Sequence, residues 1–231
     1  MELPSLVIDS KTYTLSQEIS DHDFDGPWES LRFSFRKLRK EEDLFDGPLY
    51  HTVSVTDSQI LVQTGISYRQ FIGMRSLVNR EQLEICDSEA PRVLGLFLVL
   101  TTKDHKTVLF PRTGGEWGDC YELPGYSVTP RFKNISQALH HVVYRDCPKL
   151  ENYIDVGAAQ LLGSIELPDY LEHNIIISLE LDCDSQQIKE LYPQSLVIDL
   201  MTETDSLRLH PPTHSTLHYL TEKGNSDSIV K

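Results

Sequence analysis

The stretch "CYELPGYSVTPRFKNISQALHHVVYRDC", Cys120 to Cys147, decides how this chain is read. Its first half is a loop built around Pro124 and Gly125. Its second half, Lys133–Cys147, places Ile135, Ala138, Leu139 and Val142 at helical spacing, with Val143 at the margin of the stripe. That spacing predicts an amphipathic helix burying those side chains. The helix carries almost no acid, because Asp146 is the only carboxylate between Tyr126 and Leu150. His140 and His141 are neighbours, so their side chains point about 100° apart and do not converge on one ion. One half-buried and one surface histidine is the expectation.

The flanks read as strands. Upstream, "RVLGLFLVLTTKDHKTVLFPRT" gives two apolar strands around "KDHK". The near-continuous apolarity of the first predicts a central strand covered on both faces. Downstream come strands in "AAQLLGSIELP" and "NIIISLELD", a short helix in "DSQQIKELYP", a strand in "QSLVIDL" and a C-terminal helix from "PPTHSTLHYLTEK". "GNSDSIVK" is expected to be a loose polar tail. Near the N-terminus, "LVIDSKTYTL" has strand composition, and "FDGP" occurs at Phe24–Pro27 and again at Phe45–Pro48 as turn chemistry. Between them, Trp28, Leu31, Phe35 and Leu38 fall at helical spacing. Arg32, Arg36, Lys37, Arg39 and Lys40 read as that helix's solvated face. "LYHTVSVTDSQILVQTGISYRQFIG" predicts two strands around "TDSQ", then a helix with Ser67 as its N-cap.

This order resembles a Nudix hydrolase. Glu122-Leu123-Pro124-Gly125 is similar to the opening of the Nudix box, G-x5-E-x7-R-E-U-x-E-E-x-G-U after "LPGG". Phe110–Arg112 resembles the strand end that precedes it. The segment "LFDGPLYHTVSV…LVQTGISYRQFIGMR" resembles the region upstream of the Nudix domain in the UDP-glucose pyrophosphatase branch. The matching positions are Phe45, Gly47, Gly65, Ser67, Tyr68, Arg69, Phe71 and Gly73, with Gln70 and Met74 as departures. The resemblance implies an α/β (α+β sandwich) fold, a Nudix-type mixed sheet flanked by helices with an N-terminal α/β extension. It implies an extension over 1–90, a Nudix-like domain over 91–223 and a flexible tail over 224–231.

It also implies metal-assisted attack of water on a diphosphate, with glutamates holding divalent cations. The residues depart from that chemistry. Strict spacing from Gly125 puts Arg131 at the first Glu position, and Leu139, His140, Val143 and Tyr144 at the Arg, Glu, Glu and Glu positions. No register places three carboxylates on this helix. Acids could come instead from loops: Glu116, Asp119 and Glu122 before it, or Glu151, Glu166, Asp169 and Glu172 after it. Glu122 is the candidate catalytic residue. Tyr68, Arg69, Phe71, Arg75, Arg112 and Gly125 are the candidate ligand-binding residues, the arginines because guanidinium pairs with phosphate in bidentate fashion. No metal ligand is assigned and no cofactor is expected, with Mg²⁺ reserved for the case in which loop acids form a site.

The formal charge of −14, from 35 acidic and 21 basic residues among 231, argues against broad binding to a nucleic-acid backbone but leaves room for a local basic pocket. Cys86, Cys120, Cys147 and Cys183 form no CxxC pair and read as reduced core residues. The longest apolar run, Val93–Leu100, is too short to span a bilayer, and a cytoplasmic protein without membrane contact is expected. Three functions stand at this point. The first is a binder of a nucleotide or nucleotide sugar, such as a UDP-sugar, with weak or absent hydrolysis. The second is an active hydrolase using loop acids. The third is a module for a protein partner.

Overall fold

The computed structural model describes residues 3–14, 25–30, 46–79, 90–112, 119–200 and 207–229. The basic helix face expected from Arg32 to Lys40, Phe45, Cys86 and the loop acid Glu116 lie outside these residues. Strands are β1 (Ser5–Thr12), β2 (Pro48–Val55), β3 (Gln59–Ser67), β4 (Val93–Thr101), β5 (Thr107–Arg112), β6 (Cys120–Glu122), β7 (Gly125–Ser127), β8 (Gln160–Leu167), β9 (Glu172–Glu180) and β10 (Leu196–Ile198). Helices are α1 (Tyr68–Asn79), α2 (Ile135–Asp146), α3 (Ser185–Leu191) and α4 (Pro211–Ile229).

The sheet is mixed and is organised on β4. One edge of β4 pairs in parallel with β9 along its whole length, Val93 with Glu172 through Thr101 with Glu180. The other edge is shared. His51 of β2 meets Val93, β7 meets Gly95–Phe97, and β5 meets Thr101. The N-terminal strands continue the same sheet: β3 pairs antiparallel with β2, and β1 lies parallel to β3. Fold class therefore agrees with the expectation of a mixed sheet flanked by helices.

Alternation along β4 explains its apolar run. Leu94, Leu96, Leu98 and Leu100 face a core completed by Ile135, Ala138, Leu139, Val142 and Val143 of α2. Phe97 and Val99 face a second core that takes in Ile176, Ile198 and Leu217 of α4. A third cluster joins Leu49, Ile66 and Val93 to Phe71, Ile72 and Met74 of α1. All eight residues from Val93 to Leu100 are buried, as a strand sandwiched between helices requires.

Helix ends follow local chemistry. Asn134 caps α2, its side-chain oxygen accepting from Gln137 N–H at 2.9 Å. Cys147 N–H closes the last turn on Val143 C=O at 2.9 Å, and Pro148 follows. Ser67 Oγ accepts from Gln70 N–H at 3.2 Å, while Ser67 N–H donates to Gln70 Oε1 at 2.9 Å, so the expected cap of α1 is a full capping box. Asp184 and Gln187 make another at α3. At the C-terminus, α4 runs to Ile229, past Gly224, where the sequence predicts a loose tail. Extending a docked helix costs far less than nucleating one, which lets poor helix formers follow. Cys120, Cys147 and Cys183 are buried and form no disulfide among the described residues.

Candidate functional site

A cavity of about 590 Å³ opens where α1, the β6–β7 turn, α2 and the start of α4 meet. Its volume falls in the usual range for small-molecule sites. Each element delivers its residues for a local reason. On α1, Tyr68, Phe71 and Arg75 are spaced i, i+3, i+7 and share one face, so all three reach the cavity. Arg112 ends β5 and Glu122 ends β6, and pairing of these strands brings the two side chains into an ion pair. Gly125 begins β7 against Phe97 of β4. A Cβ there would lie 2.7 Å from Phe97 Cδ1 and 2.9 Å from Leu96 C=O, so only glycine fits this approach. The start of α4 is tied to β6: Tyr121 N–H donates to Arg208 C=O at 2.9 Å and His210 N–H to Tyr121 C=O at 2.8 Å. Leu123 N–H donates to Thr213 Oγ1 at 3.1 Å. His210 is thereby carried onto the rim beside Glu122, its Nδ1 4.0 Å from Glu122 Oε2.

Six of the seven residues singled out in the sequence share this cavity: Glu122, Tyr68, Phe71, Arg75, Arg112 and Gly125. Arg69 does not line it. One residue on from Tyr68, it turns about a quarter of the way round the helix, where its guanidinium pairs with Asp25. The loop acids divide. Glu122 and Glu172 line the cavity, whereas Glu166 lies outside it beside Arg92, at 3.4 Å, and His173, at 3.7 Å. Glu151 belongs to a smaller depression of about 290 Å³ with His140 and Tyr144.

Residues the sequence reading left out complete the site: Tyr126, Thr129, Arg145, Asn174 and His210 line it, and Arg131 joins as a cation. Arg145 offered one signal. It lies one helical turn beyond His141, on a face that the buried stripe leaves free. Its guanidinium donates to Gly125 C=O, forms an ion pair with Asp146 and sits 4.8 Å from the Tyr126 ring centroid. His210 offered none, since it lies far along the chain, just before α4, and reaches Glu122 only when that helix docks.

The cavity holds four guanidinium groups, those of Arg75, Arg112, Arg131 and Arg145, against two carboxylates. Arg75 pairs with Glu172 at 3.5 Å, and Asn174 Nδ2 donates to Glu172 Oε2 at 3.0 Å. Arg131 differs from the others. Its Nη2 donates to Tyr126 Oη at 3.1 Å and contacts His141 Nε2 at 2.7 Å, and its guanidinium lies over Phe132 at 4.6 Å. Burial, then the charges of Arg131 and Arg145, push the His141 pKa down, which suits a neutral ring that accepts from Arg131. Burial raises Glu122 and Glu172 despite the arginines beside them. Burial, followed by the Arg112 and Arg75 charges, lowers His210 to about 3, so it is neutral at neutral pH.

Among the described residues, three buried polar atoms of cavity-lining side chains find no hydrogen-bond partner: Arg112 Nε, Thr129 Oγ1 and His210 Nδ1. Each unmatched group costs about 1–3 kcal/mol, and a polar ligand would recover part of that cost. The donor set does not fit a divalent cation. Leu139 and Val143 are buried apolar side chains, His140 and Tyr144 face away into the smaller depression, and both cavity carboxylates are held by arginines. Among the described residues no three His, Cys, Asp or Glu side chains converge as a metal site. None of the described helices is long and apolar enough to cross a membrane.

No protein-family model matches the chain, and no curated protein matches it significantly. Among solved structures it is similar to the C-terminal domain of mouse MUTYH, crystallised with human PCNA, at 15% identity and a TM-score of 0.40, over 58% of this chain and 89% of that one. It is similar to the Nudix hydrolase RenU of M. smegmatis at 13% identity and a TM-score of 0.39, over 58% and 86%. It is similar to a MutT protein from Methanosarcina mazei Go1 at 12% identity and a TM-score of 0.39, over 59% and 97%. These likenesses cover about three fifths of the chain and leave the site to be read from its own residues.

Proposed function

We propose that this chain binds a nucleoside-diphosphate-type ligand, a nucleotide sugar such as a UDP-sugar, and that it hydrolyses the diphosphate slowly or not at all. One observation carries the reading: a chain of formal charge −14 gathers four guanidinium groups into one cavity beside Tyr68, Phe71 and Tyr126. Guanidinium suits phosphate oxygens, and the aromatic side chains suit a base or a sugar face. Tyr68 and Phe71 come from the segment that resembles the UDP-glucose pyrophosphatase branch, which favours uridine. Slow hydrolysis follows from the helix. Metal catalysis supplies several kcal/mol of transition-state stabilisation, and at about 1.4 kcal/mol per tenfold its loss costs several orders of magnitude in rate.

Hydrolysis through loop acids has one supporting observation, since Glu122 and Glu172 both line the cavity. Their ion pairs with Arg112 and Arg75 weigh against it, because a carboxylate held by guanidinium is a poor cation ligand. Buried cysteines that form no disulfide among the described residues support a reducing, cytoplasmic setting for this activity. The test is a thermal-shift panel of nucleotides and nucleotide sugars, joined to an assay of UMP release from UDP-glucose with Mg²⁺, Mn²⁺ or EDTA. A rise in Tm with uridine diphosphates and turnover far below about 1 s⁻¹ is the expected result. Turnover at that rate or faster, abolished by EDTA and by Glu122→Gln, would establish the loop-acid hydrolase. No shift with any nucleotide would leave a protein-binding module.

A further inference from the structure

We propose that the cavity binds a pyrophosphate group directly, without a divalent cation, and that Arg131 is the residue on which this binding turns. The inference rests on the nucleotide-binding reading of the same cavity but concerns only how the anion is held.

Charge accounting singles out Arg131. Arg75, Arg112 and Arg145 each have a carboxylate partner, Glu172, Glu122 and Asp146 respectively. The contacts of Arg131 are the neutral Tyr126 hydroxyl, the His141 ring and two aromatic faces, at 5.2 Å from Tyr126 and 4.6 Å from Phe132. Those contacts fix the guanidinium plane without neutralising it. Arg131 and Arg145 both lie within 5.2 Å of the Tyr126 ring centroid, which sets two cations beside one wall of the cavity. A guanidinium has five N–H donors in a rigid fork, and these contacts use only some of them. Arg112 adds a buried Nε with no hydrogen-bond partner among the described residues, and Thr129 a buried hydroxyl in the same condition.

An anion carrying several oxygens answers all of these features at once. It supplies acceptors for Arg112 Nε and the Thr129 hydroxyl, and negative charge for Arg131. A divalent cation answers none, since it would sit among guanidinium groups and both described cavity carboxylates are paired with arginines. Arg131 also stands where spacing from Gly125 would put the first glutamate of the resembled motif, so the sign of the charge at that position is reversed. Glu122 acts in this arrangement as a competitor, because its carboxylate occupies part of Arg112.

Isothermal titration with inorganic pyrophosphate, and in parallel with UDP-glucose, in excess EDTA and in millimolar Mg²⁺, tests this. Pyrophosphate should bind in EDTA with a Kd within about twofold of its value for the same free anion in Mg²⁺. Losing a charge-assisted contact, Arg131→Gln should weaken it about tenfold or more. Glu122→Gln, which frees Arg112, should tighten it; a metal ligand or catalytic base at that position would give the opposite sign or no change. Arg131 is solvent-exposed, so its variant should fold, and far-UV circular dichroism verifies that both variants do. Binding that appears only with Mg²⁺ would overturn the proposal while leaving nucleotide recognition intact. Pyrophosphate affinity indifferent to both substitutions, or no binding in either condition, would also overturn it. Pyrophosphate binding that follows both variants as expected, with UDP-glucose and other nucleotide sugars binding no more tightly than pyrophosphate, would support the anion site and sink the nucleotide reading.

Discussion

Gly95→Ala is a small substitution that should have a large and specific effect. Gly95 lies in the buried strand β4 directly opposite Asn174 of β9. The Asn174 side chain crosses the glycine, and a Cβ on residue 95 would lie 1.6 Å from Asn174 Oδ1 and 2.8 Å from its Cγ. The amide must therefore leave, and its hydrogen bond to Glu172 goes with it. Overpacking in a tight core costs about 1–3 kcal/mol, and a hydrogen bond to a charged group is worth about 1.5–3 kcal/mol. The smaller loss of strand entropy for alanine offsets about 0.5–1 kcal/mol. A net destabilisation of about 1.5–5.5 kcal/mol follows, read as a lowered urea midpoint at unchanged m-value. The decisive experiment is the double-mutant cycle. Asn174→Ala alone loses the Glu172 contact at a cost of about 1.5–3 kcal/mol. It also removes every Asn174 atom closer than 3.7 Å to the new methyl, so the double variant should cost at least about 1 kcal/mol less than the two single variants added together. Additivity within about 0.5 kcal/mol would refute the steric reasoning.

Leu139→Ala, at a side chain with 0% exposure between α2 and β4, should destabilise by about 2–5 kcal/mol in urea, and a loss under 1 kcal/mol would place α2 off the core. Ser67→Ala removes the cap of α1 and should cost about 0.5–2 kcal/mol. Because α1 carries Tyr68, Phe71 and Arg75, the same variant should also weaken UDP-glucose binding in calorimetry; intact affinity would show that the helix does not shape the cavity. Burial holds His210 near 3 and His51 near 4, below the ordinary 6.5, so in that interval the unfolded chain binds more protons than the folded one. Their contribution is complete above about pH 6.5 and is lost as pH falls toward 4, at up to about 1.4 kcal/mol per pH unit per group. Glu122 and Glu172, raised by burial, titrate in the opposite sense, so the measurement is the difference between wild type and His210→Asn at pH 7.5 and 5.5. A wild-type stability loss no larger than that of the variant would count against a buried neutral His210.

Much of the fold was legible because it rests on short-range periodicity. The stripe Ile135–Ala138–Leu139–Val142 set both the helix and its buried face, and each of these side chains is at most 1% exposed. The eight-residue apolar run of β4 announced a strand covered on both faces. Ser67 announced the cap of α1, and the structure adds Gln70 as its capping-box partner. The shortage of carboxylates between Tyr126 and Leu150 was likewise a matter of counting. The site was legible in part, since Glu122, Arg112 and Gly125 flank the loop before α2 and three more residues lie on α1. Tyr68 and Phe71 were singled out by resemblance and Arg75 by its guanidinium; helical spacing on α1 explains why these three share the cavity and why Arg69 turns away to Asp25, which a list of matching letters does not show. Tertiary structure alone decided the rest. Parallel pairing of β4 with β9 places Asn174 across Gly95, docking of α4 brings His210 to Glu122, and one turn of α2 sets Arg145 on Gly125 C=O and the Tyr126 ring. Those encounters join residues far apart in the chain, and long-range strand and helix pairing fixes them through the summed burial of whole faces, a quantity that no local window of sequence contains.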